Sequence, residues 1–583
     1  MDFLHFGLAG TVALGLACLA TVRGAEAPTE IFYHGKVITM DPASSIQEAI
    51  AIAGDKIIAV GKDAEILALA GAKTHRHDLG GRTLLPGLMD SHTHPAGAAM
   101  TEFDHEIPPM ESIADVLAYI HHRAEVLPEG AWIHLTQVFI TRLREQRYPT
   151  RQELDQAAPK HPVVFSTGPD SMLNTLALRL SGITKDFQPP DRQAGRVELD
   201  PQTGEATGLL RGLTRFVKIP AETKKPSNED VEARLALLFK DYNSVGLTAV
   251  GDRDCLASTL DRYASLKQQG KLSVRVMVSH DIMPNGLWRS VEQNIAEVTQ
   301  HPVRVHGDSF LRIIGTKCFL DGGMLTGSAY MREPWGVSQT YGITDPAYRG
   351  TLYIPHERLV QLVDKITSAG LQFTAHTVGD GATHELLDVY EEVNRRHPVA
   401  PTRSCLTHSN FMLPEDVERA GRLGIMLDVQ PIWLHLDSRT LLAQFGQERT
   451  RRFQPLKSLF AAGVVVGGGS DHMQKIGSFR SVNPYNPWLG MWTAITRQAR
   501  WMDEPMHPEQ ALTREQALRM YTTNNAKILF LDGVTGSLEV GKSADLIIVD
   551  RDPLDCPLAD LVHTQVIQTW LAGRQVYGAS HDG

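Results

Sequence analysis

The chain has 583 residues, 42% of them hydrophobic, with 57 basic against 67 acidic side chains and a net charge of −10. An acidic balance with no basic block or stripe excludes nucleic acid as the main partner. The five cysteines (Cys18, Cys255, Cys318, Cys405, Cys556) lie far apart without CxxC spacing, which excludes a disulfide framework and a cysteine metal site.

The first element is Phe6 to Val22, an uncharged run of 17 residues rich in Leu, Ala and Gly, followed by Ala25-Glu26-Ala27. The small-residue Ala-x-Ala pattern fits a signal-peptidase site. Residues 1–27 are therefore expected to be a signal peptide, with an exported (periplasmic or secreted) mature chain and no stable membrane partner after cleavage. A basic n-region is missing, so an uncleaved anchor at the short limit of a membrane span is the alternative.

Residues 31–85 read as short strands: Ile31–Tyr33, Lys36–Thr39, Ala49–Ile52 and Lys56–Val60, with Gly54-Asp55 as a hairpin tip. The same texture returns in Ala544–Val549, Gln565–Trp570 and Arg574–Tyr577. Two β-rich ends around a different middle predict a small β-sandwich built from both termini, residues 28–85 and 531–583.

The middle, residues 86–530, alternates apolar runs with helical patterns, the signature of repeated βα units. Strand candidates in order are Leu84–His94, Leu247–Asp252, Ser273–Asp281, Leu311–Asp321, Leu371–His376, Ser404–His408, Gly424–Gln430 and Val464–Asp471. Helices such as Asn228–Val245 and His356–Ala369 lie between them. Eight such units predict an α/β fold, a (β/α)8 TIM barrel with its active site at the C-terminal strand ends. The gap from His94 to Leu247 is too long for one crossover, so an insertion subdomain is expected after strand 1, at about 100–225. Within it a helix follows Glu111-Ser112, Pro162–Phe165 is a strand, and 186–208 reads as a long loop.

Chemistry-bearing residues recur at these strand ends. His92 and His94, two apart on a strand, project to one side and can grip a metal together. Lys317 lies inside an apolar strand, where an ammonium is costly unless paired or modified. His376, His408 and Asp471 close three later strands. Singly, each has a structural explanation: a capped histidine, a snorkelling lysine, an aspartate capping the next helix. Together they place four His, one Lys and one Asp on one rim.

The run PGLMDSHTH (Pro86–His94), the lysine, the two later histidines and Gly469-Ser470-Asp471 resemble the metal-dependent amidohydrolase superfamily. Asp321-Gly322, His376–Asp380, Asn174-Thr175-x-Ala177-Leu178, Ala494–Arg497 and the tail Ala526–Asp550 resemble its amidohydrolase family 3, or YtcJ-like, branch. The resemblance implies two divalent metal ions, zinc before iron, manganese or cobalt. His92, His94 and Asp471 would hold one, His376 and His408 the other, and a carboxylated Lys317 would bridge them. Asp471 would shuttle the proton during hydrolysis of a carbon–nitrogen bond other than a peptide bond, in an amide, formamide or cyclic amide small molecule. Hydrolysis of an ester at the same metals, or a catalytically silent binding protein on a barrel scaffold, are the alternatives. The sequence departs from the branch at Thr167-Gly168-Pro169, where many relatives carry Asp-Gly-His. His472, Arg480, Arg497, Trp433 and His435 are candidate pocket residues.

Overall fold

The computed structural model describes residues 27–579 apart from 137, 169, 190–194 and 221–224. The expected signal segment and Pro169 thus lie outside the described residues. Among the described residues no helix is long and apolar enough to cross a membrane.

At the centre is an eight-stranded parallel sheet whose spatial order follows chain order. Its strands are β1 (Leu88–Thr93), β2 (Leu247–Cys255), β3 (Arg275–Asp281), β4 (Leu311–Phe319), β5 (Gln372–Thr377), β6 (Cys405–His408), β7 (Met426–Val429) and β8 (Val466–Gly468). Every neighbouring pair from β1 to β8 is parallel. Closure comes from β1 against the end of β8: Asp471 N donates to His92 O and His94 N to His472 O, both at 2.8 Å. A Cβ on Gly469 would sit 2.9 Å from the His92 Cβ, so glycine is required where the last strand meets the first. The fold is a TIM barrel, and the helices Asn228–Ser244 and His356–Ser368 bury Leu235, Leu238, Leu359 and Val363 against its outside.

The expected first strand, Leu84–His94, is two strands. Thr83–Pro86 pairs with Leu546–Val549 in a different sheet, and the barrel strand begins only at Leu88. The break is at Gly87, where a Cβ would come within 2.3 Å of Thr248, and where Pro86 has no N–H to continue a ladder.

A six-stranded sheet combines both chain ends, in the order 574–577, 566–571, 546–549, 83–86, 36–38, 46–47. A four-stranded sheet from residues 30–78 faces it, with the Ala53–Lys56 hairpin turning at Gly54-Asp55. Phe32, Ile50 and Ile52 meet Leu84, Leu546, Ile548 and Trp570 in the shared core of this sandwich. Arg275, at the start of β3, ties it to the barrel through a bidentate pair with Asp545 (2.7 and 2.9 Å), both side chains buried.

Between β1 and β2 lies a five-stranded sheet, 196–199, 206–211, 171–173, 163–166, 133–135. The helix Ile113–Val126, capped by Ser112, packs on it through Val116 and Ile120. The stretch 186–208, read as loop, contains the strand Arg196–Leu199 and the start of Ala206–Arg211. Its Pro- and Gly-rich composition hid a hairpin whose ladder is completed by Ser171–Met172, residues distant in sequence.

Candidate metal centre

The side chains at the mouth are delivered by alternation along short parallel strands. On β1, His92 is fully buried, while His94, just beyond the strand, remains about a quarter exposed (25%). Asp471, three residues past β8, folds back in a left-handed conformation (φ 56°). Its Oδ1 lies 3.0 Å from His94 Nε2 and 3.3 Å from His92 Nε2. No helix starts at Asp471, so a helix cap does not explain it. His92, His94 and Asp471 form the one described His/Cys/Asp/Glu group of three or more whose ligand atoms all lie within 4.8 Å of one another.

The other expected residues converge on this group. His408 stacks on His92 with ring centroids 4.8 Å apart, and His376 meets His408 edge-on at 4.6 Å. Lys317 is 1% exposed, so it does not snorkel to solvent; its Nζ lies 5.0 Å from the Phe319 ring centre. Burial lowers its pKa, against the pull of Asp254, Asp428 and Asp471. Burial, followed by the Lys317 charge, pushes His92 well below the usual imidazole range and His376 down to about 3. His408 is driven well down by burial and by the charges of His376 and Lys317. His94 alone moves up: burial lowers it, but the hydrogen bond and charge of Asp471 outweigh that. The buried histidines are thus held in the neutral form that binds metal.

A ring of partners orients these side chains, and apart from Asp321 sequence reading did not single them out. Asp428 Oδ1 lies 3.1 Å from His92 Nδ1, and Gln430 Oε1 is 2.6 Å from His408 Nδ1. Asp321 accepts from the backbone N–H groups of Tyr330, Val378 and Gly379 at 2.9 Å, fixing the turn after His376. Asn483 Nδ2 donates to Asp471 O at 2.7 Å. Arg253, buried inside the barrel, bonds Ser91 O, Ser279 and Gln372 and pairs with Asp428 at 3.3 Å. The available signal was positional: Asp428 and Gln430 sit at the end of the seventh strand, where polar residues interrupt an apolar run.

The donor set fits a metal. His92 Nδ1 is taken by Asp428, whereas its Nε2 is buried without a hydrogen-bond partner and faces Asp471. A carboxylate behind a histidine, with the other nitrogen left free, is the usual arrangement behind a metal-binding imidazole.

The chain matches the amidohydrolase family over residues 77–577. It belongs to that family. Among its relatives, N-substituted formamide deformylase of Arthrobacter pascens is 29% identical over 549 residues, spanning 93% of this chain and 96% of the relative. YtcJ of Bacillus subtilis (strain 168) is 25% identical over 563 residues, 94% of this chain and 99% of the relative. A crystal structure of an uncharacterized metal-dependent hydrolase from Pyrococcus horikoshii OT3 shares the fold, with a TM-score of 0.66 at 23% identity over 91% of this amidohydrolase and 99% of that chain.

The pocket candidates divide. Trp433 stacks on His408 at 4.8 Å and donates from Nε1 to Asn483 Oδ1 at 3.1 Å, so it buttresses the site. His472 is buried, between Tyr242 and the carbonyls of Gln474 and Lys475, with a pKa lowered by burial to about 4. His435 and Arg480 line a cavity beside the site. Arg497 is fully buried and spent on structure: it donates to the carbonyls of Phe453, Gln454 and Met506.

Proposed function

We propose that this amidohydrolase cleaves an amide-type carbon–nitrogen bond, with N-substituted formamides as the first substrates to test. The reading is carried by the convergence of His92, His94 and Asp471 with His376, His408 and the buried Lys317 at one barrel mouth. The similarity to N-substituted formamide deformylase over nearly the whole length of both chains supports the substrate class.

In this reading His92, His94 and Asp471 would hold one divalent ion and His376 and His408 a second, with Lys317, as its carbamate, supplying oxygen ligands; zinc suits these ligands. Bound metal supplies Lewis acidity, lowering the pKa of water and polarising a carbonyl. CO2 adds to the neutral amine, which burial favours by lowering the Lys317 pKa, and the carbamate would replace a buried cation by an oxygen donor. Asp471 has Oδ1 against His92 and His94, and its Oδ2, with Asn483 Nδ2 at 3.4 Å, would take a proton from the attacking water. It then passes that proton to the departing amine. Asp428, Gln430 and Asn483 keep the imidazoles and the carboxylate in place meanwhile.

We also read the enzyme as exported, on the strength of Phe6–Val22 and Ala25-x-Ala27. The deciding experiment is metal analysis of purified protein followed by matched formamide, amide and ester substrates. Ester turnover without formamide or amide turnover would move the reading to an esterase. Metal bound without turnover of any substrate would support a silent binding protein.

A further inference from the structure

A cavity of about 330 Å³ opens at the seam between the insertion and the barrel, lined by Thr101–Arg142 on one side and by Ile432–Leu436 and Gln474–Leu489 on the other. It adjoins the site. Arg142, on its wall, donates to Asn483 Oδ1 at 2.8 Å, and Asn483 donates to Asp471. Phe139, Leu436 and Leu489 give it an apolar side.

Its cations are not equivalent. Arg142 is paired with Asp437 at 2.9 Å, Arg480 with Glu102 and Glu106 at 2.9 Å each, and Arg500 with Glu111. Lys475 makes no ion pair among the described residues: Glu102 and Glu106, both engaged by Arg480, act on its charge without touching it, and Arg480 opposes them. Lys475 is buried, 6% exposed, and its Nζ donates to the Pro108 carbonyl at 3.2 Å. An ammonium carries three donors, so among the described residues two remain for a ligand, and a buried charge with no carboxylate in contact is costly. The lysine is also held rigidly. It sits in a left-handed conformation (φ 63°), and its carbonyl, with that of Gln474, lies within hydrogen-bond distance of His472 Nε2 (2.8 and 2.9 Å). A non-glycine residue kept in that conformation by its surroundings marks a functional position more often than a random one.

We propose that this cavity is a substrate subsite for a carboxylate, which Lys475 binds through Nζ while an apolar chain lies along Phe139, Leu436 and Leu489. The preferred substrate is then an N-acylated amine bearing a carboxylate several methylenes away. Its cleavage rests on the function proposed above; the binding does not.

Hexanoate and hexanamide, of equal length and different charge, separate the two. Calorimetry on the metal-loaded enzyme should show hexanoate binding at least about tenfold tighter than hexanamide, the scale of a hydrogen bond to a charged group. Lys475→Met should lose that preference, and Lys475→Arg should keep most of it. In the unmodified enzyme, hexanoate should shield Lys475 from acetylation, read by peptide mass spectrometry, and hexanamide should not; this arm needs no variant to fold. Unchanged hexanoate affinity in Lys475→Met, or undiminished acetylation at saturating hexanoate, would place the carboxylate elsewhere, such as on the metals, and overturn the proposal. Turnover of N-formyl-6-aminohexanoate against N-formylhexylamine then reads the linkage. Their kcat/KM ratio should fall toward one in Lys475→Met, through KM. If neither compound is hydrolysed, the proposed reaction is wrong while hexanoate still decides the cavity.

Discussion

Asp428 Oδ1 stands 3.1 Å from His92 Nδ1, with both side chains fully buried and 336 residues apart in the chain. The contact leaves His92 Nε2 as the nitrogen that faces Asp471, and thereby selects the tautomer a metal requires. Burial raises the Asp428 pKa to about 6 against the lowering charges of Arg253 and Lys317, so the carboxylate depends on Arg253 to stay ionised.

The first prediction follows from that contact. Asp428→Asn keeps the size but weakens the acceptor, and metal affinity should drop by about 10–100-fold, the usual cost of losing such a partner. Competition with a chromogenic chelator measures it. Unaltered affinity would reduce Asp428 to a packing residue.

For Lys317 the motive is a nearly solvent-free ammonium among four histidines and Asp471. Lys317→Ala should lose bound metal and activity together. Short-chain carboxylic acids with added metal should restore part of both, since an oxygen pair rather than an amine is what the site lacks. Full activity in Lys317→Ala, or rescue by a short amine but no acid, would contradict the carbamate.

Asp471 separates ligand from proton carrier. Asp471→Asn retains the shape and one oxygen beside His92 and His94. It should keep much of its metal and lose roughly 10²–10⁴-fold in kcat, the contribution of general acid–base catalysis. Near-normal turnover with metal retained would move the proton to another group.

Arg275 and Asp545 predict a pH dependence of stability. Burial raises Asp545, but the charge and hydrogen bonds of Arg275, the Ala572 N–H and the Ser543 hydroxyl outweigh it, so its pKa is lowered. A folded pKa below the unfolded value of about 3.9 gives stability that is present above that value and is lost as pH falls through the folded one. Arg275→Met leaves a buried carboxylate unpaired and should cost about 3–5 kcal/mol near neutrality. The loss should shrink at pH 4, because burial without Arg275 favours the protonated acid. Denaturant unfolding at the two pH values tests this; an equal loss at both would show that Asp545 is not the group responsible.

The barrel and the residues gathered at its mouth were legible in the chain because both signals are local. An apolar run of strand length needs only its own side chains, and His92-x-His94 acquires a common face from strand geometry alone. Lys317, His376, His408 and Asp471 stood out for a related reason: each is polar within or at the end of an apolar strand. Asp428 and Gln430 share that strand-end position and Asn483 does not, but the meaning of all three is a contact with His92, His408 or Asp471 on another element. The division of Leu84–His94 at Gly87 depended on Thr248, and the hairpin within 186–208 on Ser171 and Met172. The seam cavity, where Lys475 touches no carboxylate, exists only where the insertion lies against the segments after β7 and β8. Periodicity specifies which way a side chain points from its own strand. What it meets there is decided when strands hundreds of residues apart close into one barrel and desolvate the groups between them.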